Sequence, residues 1–233
     1  MKAKLYLVPI PIADDALHTL SEEIKTVTLG LRHYFVENVR TARRFLKSLH
    51  PVIVIDEITF SEIDKHIGPD MQLLKDWLSK GYEIGIMSEA GCPGIADPGS
   101  VLVQKAHEMN AEIIPLTGPN SIILALMASG LNGQSFAFNG YLPLKDPSRS
   151  QKLKELEQLS AKEKQTQIFI ETPYRNNALL DELLKHCRDS TVLCIAQNIT
   201  GKDAYIKTLP VSMWRKNKPA LVKAPAVFLL LAQ

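Results

Sequence analysis

Twelve residues, Ser88-Glu-Ala-Gly-Cys-Pro-Gly-Ile-Ala-Asp-Pro-Gly99, hold three glycines and two prolines. Such a segment cannot form a strand core or a helix interior. It follows an apolar run, Ile84 to Met87, and precedes a helix-like stretch from Ser100 to Met109. A loop of this composition at the end of a buried strand lets bare main chain approach another molecule. In open α/β sheets ligands bind outside the carboxyl ends of strands, so this loop is expected to wall a small-molecule site. Read only as a turn, it has Asp97 capping the next helix and Pro98 in the first helical position. Thr117-Gly-Pro-Asn-Ser121 is a second turn into a helix, with Thr117 as a candidate cap and Ser121 facing whatever lies off the helix start. An anionic group would be favoured there, a cation not. Pro9, with Pro11, ends the first strand beside the same region.

Two carboxylates, Glu37 and Glu171, each follow a strand-like run, and Glu171 at a strand end could orient a hydroxyl. After Glu37 come Arg40, Arg43, Arg44 and Lys47, spaced to share one side of a helix. Guanidinium groups so clustered neutralise phosphates. In Glu171-Thr-Pro-Tyr-Arg175, Thr172 and Pro173 suit a helix start, leaving Glu171, Tyr174 and Arg175 as candidate functional groups. Lys145, Arg149, Lys152 and Lys154 could add a basic rim, diluted by Glu155 and Glu157. The six histidines are scattered without a metal-like pair, so no metal is expected. Cys92 has no histidine near it in sequence, which argues against a thiol nucleophile.

The elements that must position these groups alternate between strand and helix. Strands are expected at residues 5–8, 33–36, 52–55, 84–87 and 112–115, with helices at 39–49, 70–80, 102–109 and 122–129. This alternation predicts an α/β fold with a largely parallel sheet covered by helices on both faces. The second half begins with a strand at 136–140 and a charged helix within 146–165, whose stripe is Leu153, Leu156 and Leu159. Strands at 167–170 and 191–196 flank a helix at 177–187, and further strands follow at 204–208 and 226–231. The last is wholly apolar and so central in its sheet. A boundary near residue 116 separates an N-terminal lobe, 1–116, from a C-terminal lobe, 117–233.

The chain of 233 residues is 45% apolar and only 6% aromatic. Its formal charge of +2 announces no nucleic-acid binding, which would need a local basic patch. Three cysteines, Cys92, Cys187 and Cys194, argue against a disulfide framework and for a reducing compartment. No apolar run has membrane-spanning length, and a cytoplasmic protein with no membrane partner is expected.

The order Ser-x-Ala-Gly-x-Pro-x-Ile-x-Asp-Pro-Gly, then Pro-Leu-x-Gly-Pro-x-Ser, resembles the tetrapyrrole methylase superfamily. Leu5-Tyr-Leu-Val-Pro-x-Pro-Ile12, Glu37-Asn-Val-Arg-Thr-Ala-Arg-Arg44, Phe136-x-Phe-x-Gly-Tyr-Leu-Pro143 and Phe169-Ile-Glu-Thr-Pro-Tyr-Arg175 are similar to its branch that methylates a ribose 2′-hydroxyl in small-subunit ribosomal RNA. The resemblance covers about residues 4 to 200. It implies two α/β lobes with a cofactor cleft between them, S-adenosyl-L-methionine as cofactor, RNA as partner and a homodimer. It assigns the cofactor to Pro9, Ser88, Ala90, Gly91, Cys92, Pro93, Ile95, Asp97, Thr117 and Ser121. Glu37 and Glu171 are the candidate catalytic residues, and Arg40, Arg43, Arg44, Tyr174 and Arg175 the candidate substrate-binding ones. Ala13-Asp14, Asn38, Gln197 and Asn198 depart from the branch pattern on the acceptor side. A tetrapyrrole or other metabolite as acceptor, or a non-catalytic cofactor-binding relative, are the alternatives these departures raise.

Overall fold

A computed structural model describes residues 2–64 and 66–232. The chain divides into two compact units, Met1–Asn120 and Ser121–Gln233.

In the first unit, strands β1 (Lys4–Leu7), β2 (His33–Val36), β3 (Thr59–Glu62), β4 (Glu83–Met87) and β5 (Glu112–Pro115) form one sheet in the order β3-β2-β4-β1-β5. All its pairings are parallel. The helices are α1 (Glu22–Gly30), α2 (Val39–Leu49), α3 (Met71–Ser79) and α4 (Ser100–Glu108). Successive strand residues face opposite ways. Leu5, Phe35, Ile84 and Ile86 therefore pack with Leu74 and Trp77 of α3 and Leu102 of α4. Tyr6, Tyr34, Val36 and Met87 pack with Ile24 of α1 and Phe45 and Leu46 of α2. Burial on both faces is why these strands read as near-continuous apolar runs. Each large side chain so buried contributes about 1.5–3 kcal/mol.

This topology also fixes where a ligand can sit. From β1 the chain crosses to β2 on one side; from β4 it crosses to β5 on the other. Because β1 and β4 are neighbours, their carboxyl ends flank a point where the winding reverses, the usual binding crevice of an open α/β sheet.

The second unit carries β6 (Phe136–Tyr141), β7 (Thr166–Glu171), β8 (Val192–Gln197), β9 (Tyr205–Pro210) and β10 (Ala226–Leu231), in the order β6-β7-β10-β8-β9. The apolar β10 is central, as its composition predicts. This second sheet is mixed: only β6 and β7 are parallel, and the other pairs are antiparallel. β10 enters between β7 and β8 from the far end of the sequence, which local alternation does not reveal. Helix α5 (Ser121–Ser129) covers one face, against Ile168, Cys194, Val227 and Leu229. Helices α6 (Ser148–Glu163), α7 (Asn176–His186) and α8 (Val211–Lys216) cover the other, against Phe169, Ile195, Phe228 and Leu230.

Two local expectations are corrected. Residues 52–55 are not a strand: Val52 is 88% and Val54 54% exposed, and Ile53 N–H closes a turn onto the His50 carbonyl. The strand of that region is β3, a polar edge strand with little hydrophobic signal. In α6 the buried stripe is Leu153, Leu156 and Ser160, with Leu159 37% exposed. A helix returns to one face after seven residues, from 153 to 160, so position 159 leaves the stripe. Ser160 is accommodated because its hydroxyl donates to the Gln165 carbonyl and accepts from Ala232 N–H.

Candidate active site

The glycine- and proline-rich loop lies at the reversal point of the first sheet. It is joined to the end of β1 by a short antiparallel bridge, in which Ile10 and Gly91 exchange N–H···O bonds of 3.0 and 3.1 Å. Gly91 has φ +71°, a left-handed conformation that favours glycine. A hollow of about 390 Å³ opens beside this bridge. Cys92, Pro93, Gly94 and Ile95 of the loop form one wall. Leu7 at the end of β1 and Pro9 beyond it, Pro115 at the end of β5 and Leu116 beyond it, and Ser100 and Val103 of α4 complete it. The space suits a small ligand and the lining is mostly apolar, as such sites are.

Internal bonds hold the loop. The Asp97 carboxylate accepts Gly94 N–H at 2.7 Å and Gly99 N–H at 2.6 Å. Burial pushes its pKa above the usual carboxylate value, against the pull of those amides. Asp97 is thus not the cap of α4, which begins at Ser100 after Gly99; it braces the loop from within. Ala96 is held at φ 62°, a strained conformation for a residue with a Cβ. The Ser88 hydroxyl donates to the Ala90 carbonyl at 3.1 Å. The Cys92 thiol donates to the Pro119 carbonyl at 3.3 Å, and burial raises its pKa, so it is held as the neutral thiol.

Of the residues singled out from sequence, Pro9, Cys92, Pro93 and Ile95 line the hollow together. Ser88, Gly91 and Asp97 support the loop instead, and Ala90 is exposed. Thr117 is exposed and too far from Ser121, the first residue of α5, to cap that helix. Leu7, Gly94, Ser100, Val103, Pro115 and Leu116 were missed; the signal that finds four of them is their place at a strand end or in the first turn of α4. Gly118 was missed as well. A Cβ there would lie 2.3 Å from Cβ of Pro9, so only glycine permits this approach.

Glu37 directly follows β2, and its Oε2 accepts the N–H of Glu89, the loop's second residue, at 2.6 Å. Asn38, a departure from the branch pattern, caps α2 by accepting Thr41 N–H at 3.0 Å. Arg40, Arg43 and Arg44 are exposed on α2 and border a depression of about 550 Å³ with Asn38 and Glu62. Arg43 reaches Asp56 at 3.3 Å, and Lys47 donates to the Pro51 and Ile53 carbonyls. Among the described residues Arg40 and Arg44 have no such partner.

In the second unit Glu171 is buried and takes bonds from Thr172 N–H at 2.7 Å, Arg175 Nε at 2.9 Å and Arg149 Nη2 at 3.1 Å. Burial pushes its pKa up, but the hydrogen bond from Arg175, the Thr172 amide and the two guanidinium charges outweigh it and hold the carboxyl below its usual value. A carboxylate so engaged is a poor proton acceptor, which corrects its reading as a catalytic group. Arg149 is likewise buried, its Nε donating to the Pro143 carbonyl, and is no part of a basic rim. Arg175 is tied to Glu171 and lies 5.3 Å from the ring centre of Tyr174, which is 70% exposed.

The fold has a counterpart in the crystal structure of diphthine synthase, with a TM-score of 0.67 over 99% of this chain and 90% of that one at 12% identity. The fold is that of the tetrapyrrole methylases. No protein-family model matches the chain. Curated sequences named ribosomal RNA small subunit methyltransferase I do. That of Vibrio cholerae is 33% identical over 208 residues, 89% of this chain and 69% of its own. That of Synechocystis is 35% identical over 198 residues, covering 84% and 67%. That of Buchnera aphidicola from Schizaphis graminum is 31% identical over 232 residues, covering 97% and 77%. The chain therefore belongs to the ribosomal RNA small subunit methyltransferase I family and is a methyltransferase. Among the described residues no helix is long and apolar enough to cross a membrane.

Proposed function

We propose that this protein methylates a ribose 2′-hydroxyl of small-subunit ribosomal RNA, with S-adenosyl-L-methionine as methyl donor. The hollow of about 390 Å³ at the reversal point of the first sheet carries this reading. Its volume and apolar walls fit a nucleoside-sized group, and the glycines of the loop leave main-chain amides near the surface. Pro9, Cys92, Pro93 and Ile95 would hold the donor there. When bound, S-adenosyl-L-methionine supplies a methyl group already activated by its sulfonium. The chain's task is then to align the acceptor, exclude water and remove one proton. Glu37 takes the proton role, since its carboxylate stands at the loop's first turn while Glu171 is sealed by two guanidinium groups. Arg40 and Arg44 hold the RNA backbone by charge. The names of the relatives favour RNA over a tetrapyrrole or other metabolite as acceptor. A cytoplasmic homodimer belongs to the same reading.

Calorimetric titration with S-adenosyl-L-methionine tests the donor: saturable binding at one site per chain is expected, and no heat at millimolar donor would sink the proposal. Labelled donor with 30S subunits lacking the ribose mark tests the acceptor. Label should enter RNA as a 2′-O-methyl nucleoside. The Arg40→Ala, Arg44→Ala double variant should incorporate far less, with a salt dependence of RNA binding shallower by about two phosphate contacts. Unchanged RNA affinity and salt slope would remove these arginines from the RNA interface.

A further inference from the structure

We propose that Asp146, Glu182 and His186 form a structural site for a divalent ion of the zinc class in the second unit. Glu182 and His186 are four residues apart on α7 and so share one face of the helix. Glu182 Oε2 and His186 Nε2 lie 3.0 Å apart. Both atoms are sealed from solvent, and neither has a hydrogen-bond partner. Asp146, in the turn before α6, brings a third donor, and the three ligand atoms all lie within 4.8 Å of one another. The Asp146 Oδ1 accepts Ser150 N–H at 3.1 Å, which orients this carboxylate.

Bonds of about 2.0–2.2 Å in a tetrahedral zinc site set neighbouring donors roughly 3.3 Å apart. The Glu182–His186 separation is close to that, and the exposed Asp146 can close the remaining distance. Three protein donors leave the fourth position to water. One imidazole nitrogen and two carboxylate oxygens suit zinc or cobalt(II), whereas calcium takes six to eight oxygens. The rival is an ion pair between protonated His186 and Glu182. Such a pair should place its N–H on the carboxylate oxygen, and at 3.0 Å these two atoms still lack hydrogen-bond geometry. Scanning for paired histidines misses this site, because two of its ligands are carboxylates and one comes from another element. An ion here would tie the last turn of α7 to the turn before α6, and by mass action would stabilise the folded chain.

The test uses the full chain, stripped with EDTA and dialysed, then titrated with zinc against a chromophoric chelator. Uptake of one ion per chain is expected, with a thermal midpoint that rises with zinc. His186→Ala and Asp146→Asn should each weaken uptake at least about tenfold, the least that altering even a group behind the direct ligands costs. Asp146 is exposed, so its variant folds even if His186→Ala does not. Cobalt(II) should give visible d–d bands without a thiolate charge-transfer band, which separates this site from the neighbouring Cys187. Absence of saturable uptake, which would leave an ion pair only, overturns the proposal. So does uptake unchanged in Asp146→Asn, or a thiolate band.

Discussion

In the first unit a strand is followed by a carboxylate that holds a loop; in the second a strand ends in a carboxylate closed off by charge. Glu37 follows β2 and accepts the Glu89 amide, fixing the start of the loop beside the hollow. Glu171 ends β7 and is gripped by Arg149, Arg175 and Thr172, with 2% of its side chain exposed. The two read alike in sequence, as an acidic residue after an apolar run and before an arginine-bearing turn. The difference teaches that the partners around a carboxylate beside a strand end decide whether it braces a loop or is closed off by charge. In the first unit loop backbone and small residues shape the hollow, whereas in the second the polar side chains are spent on structure.

The largest expected effect comes from breaking the closed side. Glu171→Gln leaves two guanidinium groups facing a neutral amide in a buried place. Removing one partner of a buried pair costs about 3–5 kcal/mol. Urea unfolding should show a loss of that order; a loss below about 1 kcal/mol would mean that the cluster is not structural. The pH dependence adds a sign. The folded pKa of Glu171 lies below its ordinary 4.5. Its contribution is therefore complete above about pH 4.5 and is lost as pH falls through the folded value. The parent chain should lose stability more steeply than the variant below pH 4.5.

An intermediate effect is expected where the open side depends on close approach. In Gly118→Ala the new Cβ meets the Pro9 ring at 2.3 and 2.6 Å, and a proline ring cannot rotate away. Overpacking of this kind costs about 1–3 kcal/mol. Because Pro9 lines the hollow, donor affinity should fall along with stability. Stability that drops while donor affinity holds would show that Pro9 does not touch the ligand.

How much of this was legible in the sequence follows from the range over which each feature is encoded. Helix α2 falls at Val39–Leu49 as expected, because its cap, its apolar face and Pro51 are all local. The loop 88–99 was legible because glycine and proline report backbone geometry directly. The Glu171–Arg149 pair was not, since 22 residues separate the partners and only the packing of α6 brings them together. Asp97 was misread because a capping residue and a loop brace share the same chemistry, an acceptor for nearby amides. The three metal-ligand candidates are not legible for a related reason: Asp146 lies 36 residues before Glu182.

The smallest change in stability is expected at Glu37, and there the comparison becomes sharpest. Glu37→Gln keeps an oxygen that can accept the Glu89 amide, so the loop should stay where it is and unfolding free energy should shift by less than about 0.5 kcal/mol. Donor binding should hold for the same reason. What the amide cannot do is accept a proton, and a positioned general base is worth about 10²–10⁴ in rate. Single-turnover methylation should slow by that factor with the donor dissociation constant unchanged. A variant that turns over normally would leave Glu37 as a brace for the loop, and both strand-end carboxylates would then be structural. A variant that binds donor poorly would place its role in holding the wall rather than in removing the proton. Paired with Glu171→Gln, which should unfold readily, the two variants separate a carboxylate that acts on a ligand from one that holds the fold.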